Sequence, residues 1–164
     1  MAKEDRVVPV KNYIYLSLIM LVSVFLVYYF FLWNKTYQES KINTAIMDKY
    51  LTVINYSELD SYLLENENTI VYVSVVGDEN IRNFEKKFKN TIVKNSFSNM
   101  LYMDISNEIA SNLSLKYEIN SNKIPCILVF EGDKLIDYYY IDVNNYSLKK
   151  IRKYLVALGV NDEY

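Results

Sequence analysis

Polarity along the chain changes character twice. Residues 13–33 form an uncharged, almost wholly apolar run without a period. As a helix rising about 1.5 Å per residue it spans roughly 31 Å, the hydrocarbon thickness of a bilayer. Tyr13 and Tyr15 mark one end and Tyr28, Tyr29 and Trp33 the other, where amphipathic rings favour the headgroup region. The run closes on Phe30-Phe31-Leu32-Trp33-Asn34-Lys35 instead of the small residues of a signal-peptidase site. The pattern predicts a retained transmembrane helix at 13–33 behind a short tail, 1–12. Residues 34–49 are polar, mixed and free of Gly and Pro, and read as a helical stalk or an irregular linker.

From residue 50 onward, periods appear. Residues 50–55 (YLTVIN) are β-rich, and Ser57-Glu58-Leu59-Asp60 fits a capping box opening a short helix. Residues 69–76 (TIVYVSVV) are continuously apolar and β-branched, the pattern of a central strand covered on both faces. Gly77 ends the strand and Asp78 is placed to cap a helix that lines up Ile81, Phe84, Phe88 and Ile92 at spacings of three and four. A strand at 100–104 and a helix at 106–117 with Ile109, Leu113 and Tyr117 on one face follow. Residues 126–130 (CILVF) and 135–141 flank a Gly-containing turn as a hairpin, and a helix opened by Ser147 buries Leu148, Ile151, Leu155 and Leu158 before Gly159. The order β-α-β-α-β-α-β-β-α predicts an α/β domain over 50–164. Its mixed sheet has parallel strands joined through helices, an antiparallel final hairpin and helices on both faces.

Composition removes whole classes of chemistry. The sequence has no His, which takes away the commonest neutral-pH base and metal ligand. Cys126 is the only cysteine, so one chain can form neither a Cys-x-x-Cys pair nor a thiolate zinc cluster. No Gly-rich phosphate loop and no nucleophile–base pair is present, so neither catalytic residues nor a cofactor or metal is expected. Three of the 18 basic and two of the 20 acidic residues precede residue 34, leaving a net charge of −3 on the remainder. This argues against nucleic acid as a partner. Asp78 and Glu79 are explained by the helix N-terminus they occupy. Lys149, Lys150, Arg152 and Lys153 have the composition to meet anionic headgroups, yet in a net-acidic domain they read as a solvated face. Lys3, Arg6 and Lys11 ahead of the apolar run bias the N-terminus inward and the domain outward, at the cell membrane.

One stretch carries a family resemblance. A strand MLYMDIS, a helix ending in Leu115-Lys116-Tyr117-Glu118-Ile119, and then Lys123-Ile124-Pro125-Cys126-Ile127-Leu128-Val129-Phe130 before a Gly turn resemble the thioredoxin family over about residues 50–160. The resemblance implies a cis peptide at Ile124-Pro125 facing the site where family members receive substrates. At the junction that holds Cys-x-x-Cys in active members, this chain reads Val76-Gly77-Asp78-Glu79-Asn80-Ile81. The expected function is therefore a membrane-tethered, redox-inactive thioredoxin-like module. It binds a protein or extended peptide around Gly77, Asp78, Glu79, Asn80, Ile124 and Pro125, with the bilayer held through 13–33. Two other readings stand beside it. In one, Cys126 is a reactive thiol serving an accessory oxidoreductase with a separate redox partner; in the other, the domain is a structural subunit of a membrane or cell-envelope complex.

Overall fold

The computed structural model describes residues 9–97, 99–106, 110–120 and 122–160. Two compact units divide at Lys41 and Ile42. The first holds α1 (Val10–Ile42), 33 residues with none buried, long and apolar enough to cross a membrane. Beyond the apolar run the helix continues through the polar segment to Ile42, with Lys35 and Glu39 one turn apart at 3.9 Å.

The second unit begins at Ile42, ahead of the boundary expected at 50. A 3₁₀ turn at Met47–Lys49 drives Met47 into the core, where it is completely buried. The elements that follow are β1 (Thr52–Val53), α2 (Tyr56–Glu65), β2 (Asn68–Ser74), α3 (Glu79–Lys94) and β3 (Met100–Asp104). Then come α4 (Ala110–Tyr117), β4 (Cys126–Glu131), β5 (Lys134–Tyr140) and α5 (Leu148–Ala157). They build one sheet in the order β1-β3-β2-β4-β5.

Parallel pairing joins β3 to β1 and β2, whereas β4 is antiparallel to both β2 and β5. The β2–β4 pairing departs from the expectation that strands joined through helices run parallel. The physical reason is that α4 spans eight residues and the irregular residues 118–120 and 122–125 bring the chain back to the end of the sheet where β3 finished. Strand β4 therefore starts there and runs the other way.

Two apolar layers sandwich the sheet. On one side Tyr72, Tyr102 and Ile127 meet Met47, Phe84, Phe88, Ile151 and Leu155 from the 3₁₀ turn, α3 and α5. On the other, Val71, Val73, Leu128 and Phe130 meet Leu59, Leu63 and Leu113 from α2 and α4. Alternation of side chains along each strand sends successive residues to opposite layers, so Tyr72 and Val73 serve different cores. The capping box at Ser57 is not what forms. Helix α2 starts at Tyr56 with Asn55 as its N-cap, the Asn55 backbone N–H and side-chain amide donating to Glu58 Oε2 at 3.3 and 3.0 Å. Starting there sets Leu59 and Leu63 one turn apart over the sheet. It also frees Asp60 to accept from Lys116 Nζ and, at 3.1 Å, from the Tyr117 hydroxyl. Ile109 lies outside the described residues.

Candidate functional site

The end of the sheet where β2 finishes collects the candidate residues. Gly77 takes φ +98°, a conformation that strains any residue with a Cβ. Asp78 then caps α3, its Oδ1 accepting from the backbone N–H of Asn80 at 2.8 Å and Ile81 at 2.9 Å. Glu79 and Asn80 are exposed on the first turn. The loop is tied to the next crossover: the Val76 N–H donates to Ser106 Oγ at 2.5 Å, Ser106 Oγ donates to Asp104, and the Ile105 N–H donates to the Ser74 carbonyl at 3.0 Å. The Asp78 carboxylate thus takes two of the backbone donors at the start of α3.

Ile124 and Pro125 reach the same end on the neighbouring strand, because the register Val73↔Cys126 sets the start of β4 beside the finish of β2. The Ile124–Pro125 peptide is cis, and the Pro125 carbonyl accepts from the Ile141 N–H at 3.0 Å. Beside Ile124 runs a groove of about 440 Å³, lined by Lys123, Tyr140, Asp142, Val143 and Asn144 among others. It continues into a smaller cleft of about 230 Å³ that shares Tyr140, Ile141 and Asp142 and reaches Tyr146 and Lys150. Its walls are set by short-range bonds. Asp142 Oδ1 accepts from the Asn144 N–H at 3.0 Å, Tyr140 Oη from the Asn120 N–H at 2.7 Å, and Lys123 Nζ stands 5.4 Å from the Tyr140 ring centre. The lining mixes aliphatic, aromatic and amide side chains with one carboxylate and one ammonium. None of residues 77–80 lines this groove, so the sheet end brings the two predicted clusters onto one end without merging them in one pocket.

What lies against Gly77 instead is the segment that follows α1. Asn43 Oδ1 comes within 3.5 Å of where a Gly77 side chain would begin. Arg82 Nη1 donates to the carbonyls of Thr44 at 2.6 Å and Ile42 at 3.5 Å. The pit left among Thr44, Ala45, Val75, Gly77, Arg82 and Glu85 measures about 10 Å³, at the limit for one water molecule.

Glu85 at the base of that pit was not singled out by its residue type. It is 5% exposed on the core face of α3, its Oε1 accepting from Ser74 Oγ at 2.7 Å and the Tyr72 hydroxyl at 3.1 Å. Burial raises its carboxyl above the usual range, against the pull of the two hydroxyl donors and Arg82. The period itself carried the signal, since position 85 lies four residues after Ile81 and three before Phe88, inside the buried stripe.

Cys126 is fully buried in the layer beneath α2 and α4, and burial pushes its thiol up to about 12. Among the described residues no group of three His, Cys, Asp or Glu side chains is arranged to hold a metal ion.

No protein-family model matches the sequence, nor does any curated protein. Solved structures do match. The J-Trx1 fragment of ERdj5 superposes with a TM-score of 0.51 at 12% identity, over 69% of this chain and 53% of that one, so the chain spans about half the length of that fragment. Mitochondrial thioredoxin 3 from Saccharomyces cerevisiae matches at 11% identity and a TM-score of 0.48, over 65% of this chain and 94% of that one. Thioredoxin O2 from Arabidopsis thaliana matches at 15% and 0.48, over 70% and 98%. Identities this low speak for fold alone. With its mixed sheet ordered β1-β3-β2-β4-β5 and helices on both faces, the domain is thioredoxin-like in fold.

Proposed function

We propose that the chain is a membrane-tethered, redox-inactive thioredoxin-like module that binds an extended segment of another protein at the membrane surface. Anchorage is assigned to residues 13–33 within α1, and the basic residues Lys3, Arg6 and Lys11 favour a cytoplasmic N-terminus with the domain on the far side of the cell membrane. The binding surface is assigned to the sheet end that carries Gly77, Asp78, Glu79, Asn80, Ile124 and Pro125. The observation that supports it most is the open groove beside Ile124, about 440 Å³, contrasted with a helix N-terminus already occupied by Asp78. Redox inactivity is supported by the single, buried cysteine.

Photo-crosslinking of the full-length protein in membranes tests this reading. Probes at Asn80 and Val143 are expected to give a discrete protein adduct, and a probe at Leu115, 82% exposed on α4, none. A discrete adduct from Leu115 alone would refute the assignment and favour a structural subunit docked through the other layer.

A further inference from the structure

Net charge conceals a strong segregation between the two helical layers. Helices α3 and α5 share one side of the sheet. Exposed Lys86, Lys87 and Lys94 lie on α3 with half-buried Lys89, while α5 carries Lys149, Lys150, Arg152 and Lys153, all exposed. Of the two acids on α3, Glu79 sits at the first position and Glu85 is buried; α5 has none. The opposite layer is inverted. Helix α2 has Glu58, Asp60 and Glu65 with no basic residue, and the one cation of α4, Lys116, is paired with Asp60.

The basic side is continuous. Lys87 Nζ stands 5.6 Å from the centre of the Tyr146 ring, which itself packs edge-on against Phe84 at 4.9 Å and leads into α5. Among the described residues the only ion pairs are Lys35–Glu39 and Lys116–Asp60, so no described carboxylate forms a salt bridge with any of these cations. Two apolar side chains are set among them: Val93, 60% exposed one turn beyond Lys89, and Val156, 41% exposed one turn beyond Arg152.

We infer that the α3/α5 face docks on the anionic headgroups of a bilayer. Three observations select lipid as the occupant. Charge complementarity requires a polyanionic surface, and the same chain carries a helix long and apolar enough to place such a surface within reach. Exposed valines amid the cations match the boundary between headgroups and acyl chains, whereas a single-stranded nucleic acid would call for exposed aromatic rings, and α3 and α5 present none. Each Lys or Arg held near anionic lipid raises the docked-to-free ratio about fivefold.

This inference rests on α1 lying in a bilayer, and reconstitution separates the two. Full-length protein is inserted in nanodiscs of phosphatidylcholine alone or with one-third phosphatidylglycerol, and a fluorophore is attached at Ala157→Cys on α5 or Leu64→Cys on α2. Energy transfer to headgroup-labelled lipid is then read. The expected result is efficient transfer from the α5 site in anionic discs only, lost on raising salt, as the screening length falls from about 10 Å at 0.1 M to about 3 Å at 1 M. The combined variant K149E/K150E/R152E/K153E changes exposed residues only; losing the four cations alone is expected to lower the docked-to-free ratio on the order of several hundredfold, and the four carboxylates lower it further. Equal transfer in both lipids, equal transfer from both sites, or transfer indifferent to salt and charge reversal would overturn the inference with the span intact. Failure to co-elute with the discs would overturn the span as well.

Discussion

Cys126 decides between a binding module and an accessory oxidoreductase, and its chemistry can be worked out before any assay. The thiol is fully buried, and burial moves its pKa from an ordinary 9.0 to about 12. At pH 8 a thiol titrating near 9 is roughly one part in ten thiolate, whereas one near 12 is roughly one part in ten thousand; only the thiolate attacks. Alkylation of the folded protein is therefore expected to run about a thousandfold slower than that of the unfolded chain, before any loss of access is counted. Iodoacetamide time courses on full-length protein, native and in guanidinium chloride, followed by intact mass, measure the ratio directly. The native rate should keep rising about tenfold per pH unit from 7 to 9 with no plateau. A native rate within tenfold of the unfolded one, or a plateau below pH 9, would refute the reasoning and revive the oxidoreductase reading.

The buried carboxyl and the helix cap give two further tests. Glu85 titrates above its ordinary 4.5 in the folded state. At this group the folded protein therefore binds more protons than the unfolded chain, and the contribution of Glu85 to stability is fullest below about pH 4.5 and is lost as pH rises through the folded value. Glu85→Gln should abolish that slope and match or exceed the parent at pH 7 in urea unfolding, whereas Glu85→Leu, which strands the Ser74 and Tyr72 hydroxyls, should cost about 1–3 kcal/mol. Asp78→Ala removes an acceptor shared by two backbone donors and should cost about 1 kcal/mol, up to about 2, in the same assay. No change would mean that the loop, not the cap, holds the start of α3.

The sheet and its helices were legible because each announces itself locally. The run Thr69–Val76 has no polar break long enough to face water, and Ile81, Phe84, Phe88 and Ile92 can only be aligned by a helix. The start of α2 was not so determined. Asn55 and Ser57 both stand before acids three residues on, and the choice fell to whichever register seats Leu59 and Leu63 on the sheet. Strand direction at β4 was hidden because no sequence period reports where irregular residues such as 122–125 bring the chain back.

At the site, Asp78 was readable from capping chemistry and Ile124-Pro125 through the family resemblance, but the groove beside Ile124 was not. Its other wall, Tyr140 to Asn144, comes from a strand end whose neighbour is set by sheet order alone. The same limit hid the basic face, since two lysine runs more than fifty positions apart in the sequence become one surface only when α3 and α5 share a layer. Net charge, being a sum, erases that arrangement.

Met47 fixes where the domain can be severed from α1. Its side chain is wholly enclosed beneath the sheet with Leu51, Phe84 and Phe88, and Arg82 holds the backbone just ahead of it at Thr44. A protease cutting before Ile42 would leave the second unit whole, while one cutting between Met47 and Tyr50 would take a piece of its interior away with α1. Release and destruction of the domain are thus separated by a single turn of chain.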